Sequence, residues 1–257
     1  MRHWLSAVAA LTLVLVGAPS VSAQDEIIVS IVSRGDDGFK ELIAQWEKKT
    51  GRKVNLTFPN FMASRDNIVN GQPFDLAIVE FPHDADLVAS GNVDPNSGTL
   101  IANGWMGVAV KKGAPKPDIS TPAAVKRMLL NAKSIAYPDP EGGTAASGRQ
   151  IEEMLRRLGI EDEMKAKTTH TRGGGRAMDA AGTGAVEIGM TMRIGMVGRD
   201  NIDLVGTLPA EICPPLPLIG FISSKTTRAA AAKDLMAFLT SPEAAATYRK
   251  YLLEPAY

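Results

Sequence analysis

Apolar runs of strand length alternate with amphipathic helical patterns along almost the whole sequence after residue 24. The first run, residues 27–32, is nearly continuous in apolar residues, as expected for a strand whose two faces are both covered. Phe39, Ile43 and Trp46 follow at helical spacing. Gly51 then ends that predicted helix. Strand–helix–strand repetition of this kind predicts an α/β fold with mostly parallel sheets and helices on both faces.

The same alternation of strands and helices begins again near residue 104. After residue 208 the pattern is simpler, with a predicted strand followed by two predicted helices. A proline-rich stretch, Pro209 and then residues 214–217, marks the second of these points and has the composition of a hinge. We therefore predict two α/β lobes, with the second inserted into the first. The predicted division is residues 1–23 as a signal peptide, 24–103 as the first part of lobe 1, 104–208 as lobe 2 and 209–257 as the return of lobe 1.

The first 23 residues have the three parts of a secretory signal peptide. Arg2 supplies a basic start, residues 5–16 are apolar, and residues 21–23 are the small residues that a signal peptidase reads. The apolar run is shorter than the roughly 20 residues that span a bilayer, although an uncleaved N-terminal anchor is the alternative. We expect export, with a mature chain that begins at Gln24.

The charge balance and the single cysteine exclude several classes of protein. Lys and Arg together number 28, as do Asp and Glu, so no electrostatic argument supports a nucleic-acid partner or an anionic membrane. Cys213 is the only cysteine, which leaves no internal disulfide and predicts an inert buried thiol. His83 and His170 lie in different units, without the ligand spacing of zinc. We expect no metal and no cofactor.

Four segments, in their order and spacing, resemble one known family. They are FKELIAQWEKKTG at 39–51, GQPFDLAI at 71–78, IAYPDP at 135–140 and FLTSPEA at 238–244. Together they resemble the type II periplasmic solute-binding proteins of ABC importers, in the molybdate-binding-protein-like branch, and the likeness covers nearly all of the mature chain. It implies a monomeric, non-enzymatic protein of the periplasm that holds a small anionic solute in a cleft between two lobes. A permease in the inner membrane would be its partner.

Two candidate ligand-binding loops follow strands of lobe 1, where ligands of open α/β sheets are found. The first contains Ser33 and Arg34; Arg34 could hold a carboxylate or oxyanion bidentately, or it could be solvated beside helix-capping aspartates. The family supplies a serine near Asp36. The second loop carries Phe61 and Met62, where the family has small hydroxyl residues. These two side chains either offer apolar contact to a carbon-containing ligand or pack on the lobe.

A third candidate loop, in lobe 2, opens the helix that ends at Gly159. Thr144 and Ser147 add hydroxyls near the helix N-terminus, where free N–H groups favour an anion. By resemblance, Ala145 supplies a backbone contact. An ordinary glycine-containing loop with a helix cap is the alternative.

Two further candidate positions in lobe 2 follow strands. The glycine-rich basic loop 171–176 leads into a helix, and the resemblance places a main-chain contact at Gly174. Thr191 and Met192 follow the last strand of the lobe, where molybdate binders carry a tyrosine near Met192. Arg193 either supplies positive charge to the cleft or lies on the surface.

The replacements at Asp36, Phe61, Met62 and Met192 remove hydroxyl groups that the family uses for molybdate. A small organic carboxylate is therefore ranked at least as high as a molybdate-like oxyanion. Two other classes stay open. One is a bilobal enzyme on the same scaffold, as in hydroxymethylbilane synthase, which tethers its cofactor through a cysteine. The other is a soluble accessory protein that reports its ligand to a membrane receptor.

Overall fold

The computed structural model describes residues 26–32, 37–80, 84–142 and 145–256. The predicted signal peptide lies outside these residues, as do Ser33, Arg34, Asp36 and Thr144. Two β-sheets with flanking helices make up the described part of the chain, and the predicted two-lobe α/β fold is confirmed.

The first sheet has six strands and is built from residues on both sides of the second sheet. Its strands are β1 (Glu26–Ile31), β2 (Lys53–Thr57), β3 (Leu76–Glu80), β4 (Thr99–Gly104), β10 (Leu216–Ile222) and β11 (Leu253–Pro255), in the spatial order β11-β4-β10-β3-β1-β2. The pairs β1–β2 and β1–β3 are parallel, whereas β10 runs antiparallel to both β3 and β4. We call this sheet with its helices lobe 1.

The second sheet is contiguous in sequence. It contains β5 (Met106–Lys111), β6 (Ile135–Pro138), β7 (Thr168–Thr171), β8 (Ile188–Met192) and β9 (Ile202–Thr207), in the order β7-β6-β8-β5-β9. Strand β6 is parallel to β7 and β8, and β5 is antiparallel to β8 and β9. We call this sheet with its helices lobe 2. Where the chain is divided between the lobes stays a prediction.

Both sheets are mixed rather than mostly parallel, and the path of the chain explains why. Parallel neighbours need a crossover connection, which the helices between β1, β2 and β3 provide. Strand β10 instead enters lobe 1 from lobe 2, so it runs against β3 and β4. Pro217, predicted as part of a hinge segment, is the second residue of β10. At Pro217 β10 pairs with β4, and its pairing with β3 starts only at Leu218. The strand therefore tolerates a residue without an N–H group.

The helices are α1 (Asp37–Thr50), α2 (Phe61–Val69), α3 (Asp84–Ala89), α4 (Pro122–Asn131), α5 (Ala146–Arg157), α6 (Glu161–Lys165), α7 (Gly174–Thr183), α8 (Ala229–Leu239) and α9 (Pro242–Lys250). Helix α1 buries Phe39, Ile43 and Trp46, as predicted. Thr121 caps α4 by accepting a hydrogen bond from the Ala124 amide. Helix α2 begins at Phe61, and Asn60 supplies its cap. Among the described residues, no helix has the length and apolarity needed to cross a membrane.

The two lobes are joined where β4 passes to β5 and where β9 passes to β10. Trp105 is the only residue between β4 and β5. Residues 208–215 form the return connection, and Cys213 within it is fully buried. Burial raises the pKa of the Cys213 thiol to about 12, so the predicted inert thiol agrees with its surroundings.

Candidate ligand-binding cleft

A cleft of about 830 Å³ lies between the lobes and is lined by residues of both. Lobe 1 contributes Val32, Asp37, Asn60, Phe61, Glu80, Leu218, Lys250, Tyr251 and Leu253. Lobe 2 contributes Ala145, Ser147, residues 172–176, Asp179, Thr191, Met192, Ile194, Gly195 and residues 197–199. A cavity of this size can hold a small organic molecule, and it is larger than a tetrahedral oxyanion requires.

Six of the residues named from the sequence line this cleft: Phe61, Ala145, Ser147, Gly174, Thr191 and Met192. Met62 is not among the lining residues and packs against the hydrophobic core, which is the packing alternative for that side chain. Arg193 lines a second cavity instead. Ser33, Arg34 and Thr144 lie outside the described residues, so their roles stay predictions.

A buried pair of hydroxyl groups stands at the lobe 2 side of the cleft. Ser147 in the first turn of α5 and Thr191 near the end of β8 are 4% and 3% exposed. Their oxygens are 3.5 Å apart, a long contact that leaves both hydroxyls with hydrogen-bonding capacity. A buried hydroxyl needs a partner, so a ligand acceptor in the cleft would complete this pair.

Gly174 brings the start of α7 against the same pair. A Cβ atom at Gly174 would overlap the Thr191 hydroxyl and lie 2.9 Å from Thr191 Cβ. Only glycine therefore allows the backbone of α7 to approach Thr191 this closely. The preceding residue, Gly173, has a φ of 91°, a left-handed conformation that also favours glycine. Together these two glycines set the position of the helix N-terminus at the cleft.

The N-termini of α5 and α7 are without side-chain caps. Ala145 and Gly173 occupy the cap positions and make no side-chain hydrogen bond. By contrast, Asn60 caps α2 by accepting a hydrogen bond from the Ala63 amide at 3.0 Å. The Gly148 N–H makes a long contact with the Ala145 carbonyl at 3.4 Å, and the other first-turn N–H groups of α5 and α7 are left to a ligand or water. They also carry the positive ends of two helix dipoles, which favours an anion.

Positive side chains add to this potential on the lobe 2 side. Arg172 and Arg176 line the cleft and are exposed, and neither has an ion pair with any described residue. Arg199 is different, because it pairs with Asp179 at 2.7 Å. Arg172 and Arg176 belong to the glycine-rich basic loop singled out from the sequence, although neither was named there as a ligand contact.

The lobe 1 wall has a different character. Val32, Phe61 and Leu218 make it partly apolar, and Asp37 and Glu80 add carboxylates. The guanidinium of Arg149, from α5 of lobe 2, lies 5.8 Å from the centroid of the Phe61 ring. This cation–π contact joins the two lobes beside the cleft.

Lys250 and Tyr251 also line the cleft, and sequence reasoning did not name them. They lie at the end of α9, far along the chain from the other lobe 1 residues of the site. Lys250 is held by Glu41 of α1 at 2.6 Å. No local pattern in the sequence marks these two residues, because only the packing of α9 against α1 brings them to the cleft.

The described residues contain no group of three or more His, Cys, Asp or Glu side chains placed to hold a metal ion. Cys213 is not among the cleft residues. Its burial and raised pKa give no support to a cofactor tethered through this thiol.

Comparison with known proteins gives the class of protein that this fold and cleft define. The profile of the bacterial extracellular solute-binding protein family matches residues 36–252. The chain therefore belongs to this family of solute-binding proteins.

Individual relatives refine that assignment. Aconitate isomerase of a Pseudomonas species is 28% identical over 257 residues, covering 95% of this chain and 94% of the relative. A molybdate-binding protein of Rhodobacter capsulatus is 25% identical and covers 94% and 93% of the two chains. The solved periplasmic molybdate-binding protein of Azotobacter vinelandii superposes with a TM-score of 0.72 at 20% identity, over 90% of this chain and all of that one. The resemblance to the molybdate-binding-protein-like branch is confirmed.

Proposed function

We propose that this chain is the periplasmic solute-binding component of an ABC importer and that its cleft holds a small organic carboxylate. The observation that carries the proposal is the buried pair of Ser147 and Thr191 hydroxyls between two uncapped helix N-termini. The proposal includes the predicted division of the chain, with residues 104–208 as lobe 2, and the predicted signal peptide. Export is supported by the periplasmic relative from Azotobacter vinelandii.

The asymmetry of the cleft supports an organic anion over a bare oxyanion. On lobe 2, hydroxyls, amide N–H groups and arginines suit one carboxylate. On lobe 1, Val32, Phe61 and Leu218 offer no hydrogen-bond donor. The donors of Lys250 and Tyr251 are already directed at the Glu41 carboxylate, at 2.6 and 3.0 Å. The carboxylates of Asp37, which pairs with Lys40 at 3.1 Å, and of Glu80 offer no donor to an anion. A tetrahedral oxyanion needs donors on all sides, whereas a carboxylate with a carbon body can place the body against the apolar wall.

Titration of the purified mature protein with molybdate, tungstate and a set of small carboxylates tests this proposal. We expect saturable binding of at least one carboxylate by calorimetry, and no matching response to molybdate. Thr191→Val should weaken carboxylate binding about tenfold, since a hydrogen bond to a charged group is lost. Thr168→Val is the matched control. The Thr168 hydroxyl donates to the Met164 carbonyl at 2.8 Å, and Thr168 does not line the cleft.

Two results would contradict the carboxylate assignment. One is tight molybdate binding with no response to any carboxylate. The other is an equal loss of carboxylate affinity in Thr191→Val and Thr168→Val. That result would mean that the pair of hydroxyls does not contact the ligand.

A second candidate function is isomerisation of an unsaturated carboxylate. The relative that supports it is the aconitate isomerase of Pseudomonas, which aligns with 95% of this chain. Aconitate carries three carboxylates, and moving its double bond requires a group that takes a proton from one carbon and a group that returns one to another. The ionisable residues Asp37, Glu80 and Tyr251 line the lobe 1 wall of the cleft, although Asp37 pairs with Lys40 and the Tyr251 hydroxyl donates to Glu41.

Incubation of the protein with cis-aconitate, followed by NMR, distinguishes the two functions. If the chain is an isomerase, substoichiometric protein should produce trans-aconitate over many turnovers, and Glu80→Gln should slow the reaction more than Glu187→Gln, a change outside the cleft. Saturable binding of carboxylates with no turnover would support the binding-protein function and reject the isomerase.

A further inference from the structure

A second cavity, of about 510 Å³, lies at the connection between the lobes. It is lined by Trp105, Arg193, Thr207, Arg249 and residues 252–255. These residues come from three places: Trp105 from the β4–β5 connection, Arg193 and Thr207 from lobe 2, and the remainder from α9 and β11 of lobe 1. We call this space the hinge cavity.

Arg193 is held in place in the hinge cavity, and its buried Nε atom has no hydrogen-bond acceptor among the described residues. Its backbone N–H donates to the Trp105 carbonyl at 2.8 Å. Its Cγ lies 2.8 Å from where a Cβ atom of Gly107 would be, so the stem packs closely on β5. The Nε atom is buried and has no hydrogen-bond partner among the described residues. Burial lowers the pKa of Arg193, opposed by the charge of Glu254. A buried donor without an acceptor is costly and calls for a bound group.

The remaining charges of the hinge cavity leave it net positive. Arg249 is exposed and forms no ion pair with a described residue. Glu254 is the one carboxylate of the lining, and it accepts a hydrogen bond from the Trp105 indole at 2.6 Å. Two guanidinium groups against one carboxylate leave one positive charge uncompensated.

We propose that the hinge cavity is a second binding site, for a small oxyanion such as a carboxylate or phosphate group. Arginine binds such groups through parallel N–H donors. The Nε–H group of Arg193 is a donor without an acceptor among the described residues. Arg193 belongs to lobe 2 and Arg249 to lobe 1, so an anion between them would link the lobes behind the cleft. Leu253 lines both cavities, which gives the two sites a shared wall.

The indole N–H resonances of the mature protein allow a direct test. After residue 23 the chain contains two tryptophans, Trp46 and Trp105. The Trp46 indole donates to Asp234 at 3.0 Å within lobe 1 and serves as an internal control. Titration with acetate, and separately with inorganic phosphate, should shift the Trp105 signal to saturation and leave that of Trp46 in place. Trp105→Phe assigns the two signals.

Variants connect the response to the arginines. Arg193→Gln and Arg249→Gln should each weaken the binding measured at Trp105 about tenfold, because each removes a charge-assisted contact. Arg127→Gln, an exposed arginine of lobe 2 beside Asp118, should change nothing. Arg249 is on the surface, so its variant is informative even if Arg193→Gln fails to fold.

The hinge site and the cleft can fail independently. Thr191→Val should leave the Trp105 titration unchanged, since that residue lies in the cleft. If Thr191→Val removes the response, the anion acts from the cleft and the hinge site is rejected. The absence of any saturable shift with both anions, or an unaltered titration in a folded Arg193→Gln or Arg249→Gln protein, also overturns the proposal.

Discussion

Replacing Gly174 with alanine is expected to weaken ligand binding in the cleft by about a hundredfold, the effect of a steric change costing close to 3 kcal/mol. The added methyl group would overlap the Thr191 hydroxyl and lie 2.9 Å from Thr191 Cβ. Either α7 moves away or Thr191 turns, and both responses break the arrangement of hydroxyls and amide N–H groups. Calorimetric titration with the carboxylate found to bind the wild-type protein measures the loss.

Gly175→Ala is the matched control for this variant. It adds the same methyl group to the next residue of α7, where the nearest atom is Arg199 Nη2 at 3.1 Å. That atom ends a flexible side chain and can move aside, so we expect an affinity within about threefold of the wild type. If Gly174→Ala binds as well as Gly175→Ala, the close approach of α7 to Thr191 has no part in ligand binding.

Replacing Gly148 with alanine should lower the stability of the protein by about 2 kcal/mol or more, which lowers the melting temperature by roughly 5 °C. A Cβ atom at Gly148 would overlap the Pro138 carbonyl oxygen and lie 3.0 Å from Pro138 C and 3.1 Å from Asp139 C. These are backbone atoms at the end of β6, so no side-chain rotation can relieve the overlap. Helix α5 would have to separate from the sheet.

Thermal unfolding followed by circular dichroism measures this change, with Gly195→Ala as the comparison. A Cβ atom at Gly195 meets only the Thr191 methyl group at 3.5 Å, an ordinary contact distance. Equal melting temperatures for the Gly148→Ala and Gly195→Ala proteins would contradict the packing of α5 on β6 described above.

Local patterns in the sequence predict the helices and the buried strands well. Helix α1 follows its apolar spacing, and α4 begins at Pro122, directly after its capping residue Thr121. Each of these elements is stabilised by features a few residues apart, namely a cap or one apolar face. Six of the proposed cleft residues line the cleft for a related reason, since loops at strand ends meet at one edge of a sheet.

Elements that depend on distant partners were not predicted. Strand β4 has no clear alternation of apolar and polar residues, and it is held by pairing with β10 and β11. Lys250 reaches the cleft because α9 packs on α1. Arg193 turns to the hinge cavity because its backbone is bonded to Trp105. Such contacts join residues far apart in the chain, and no short window of sequence contains both partners.

The position of β10 has a consequence for the order in which the two sheets can form. Strand β10 lies inside the first sheet, between β3 and β4, yet the whole of the second sheet precedes it in the chain. The second sheet is contiguous in sequence, so its contacts can form before residues 216–222 take any part. In the first sheet, β10 can pair with β3 and β4 only after a loop containing the whole second sheet has closed. Pairing over such sequence separations is slow. Until then the edges of β3 and β4 that β10 will cover are open to other chains, so we expect aggregation to compete with folding in this interval.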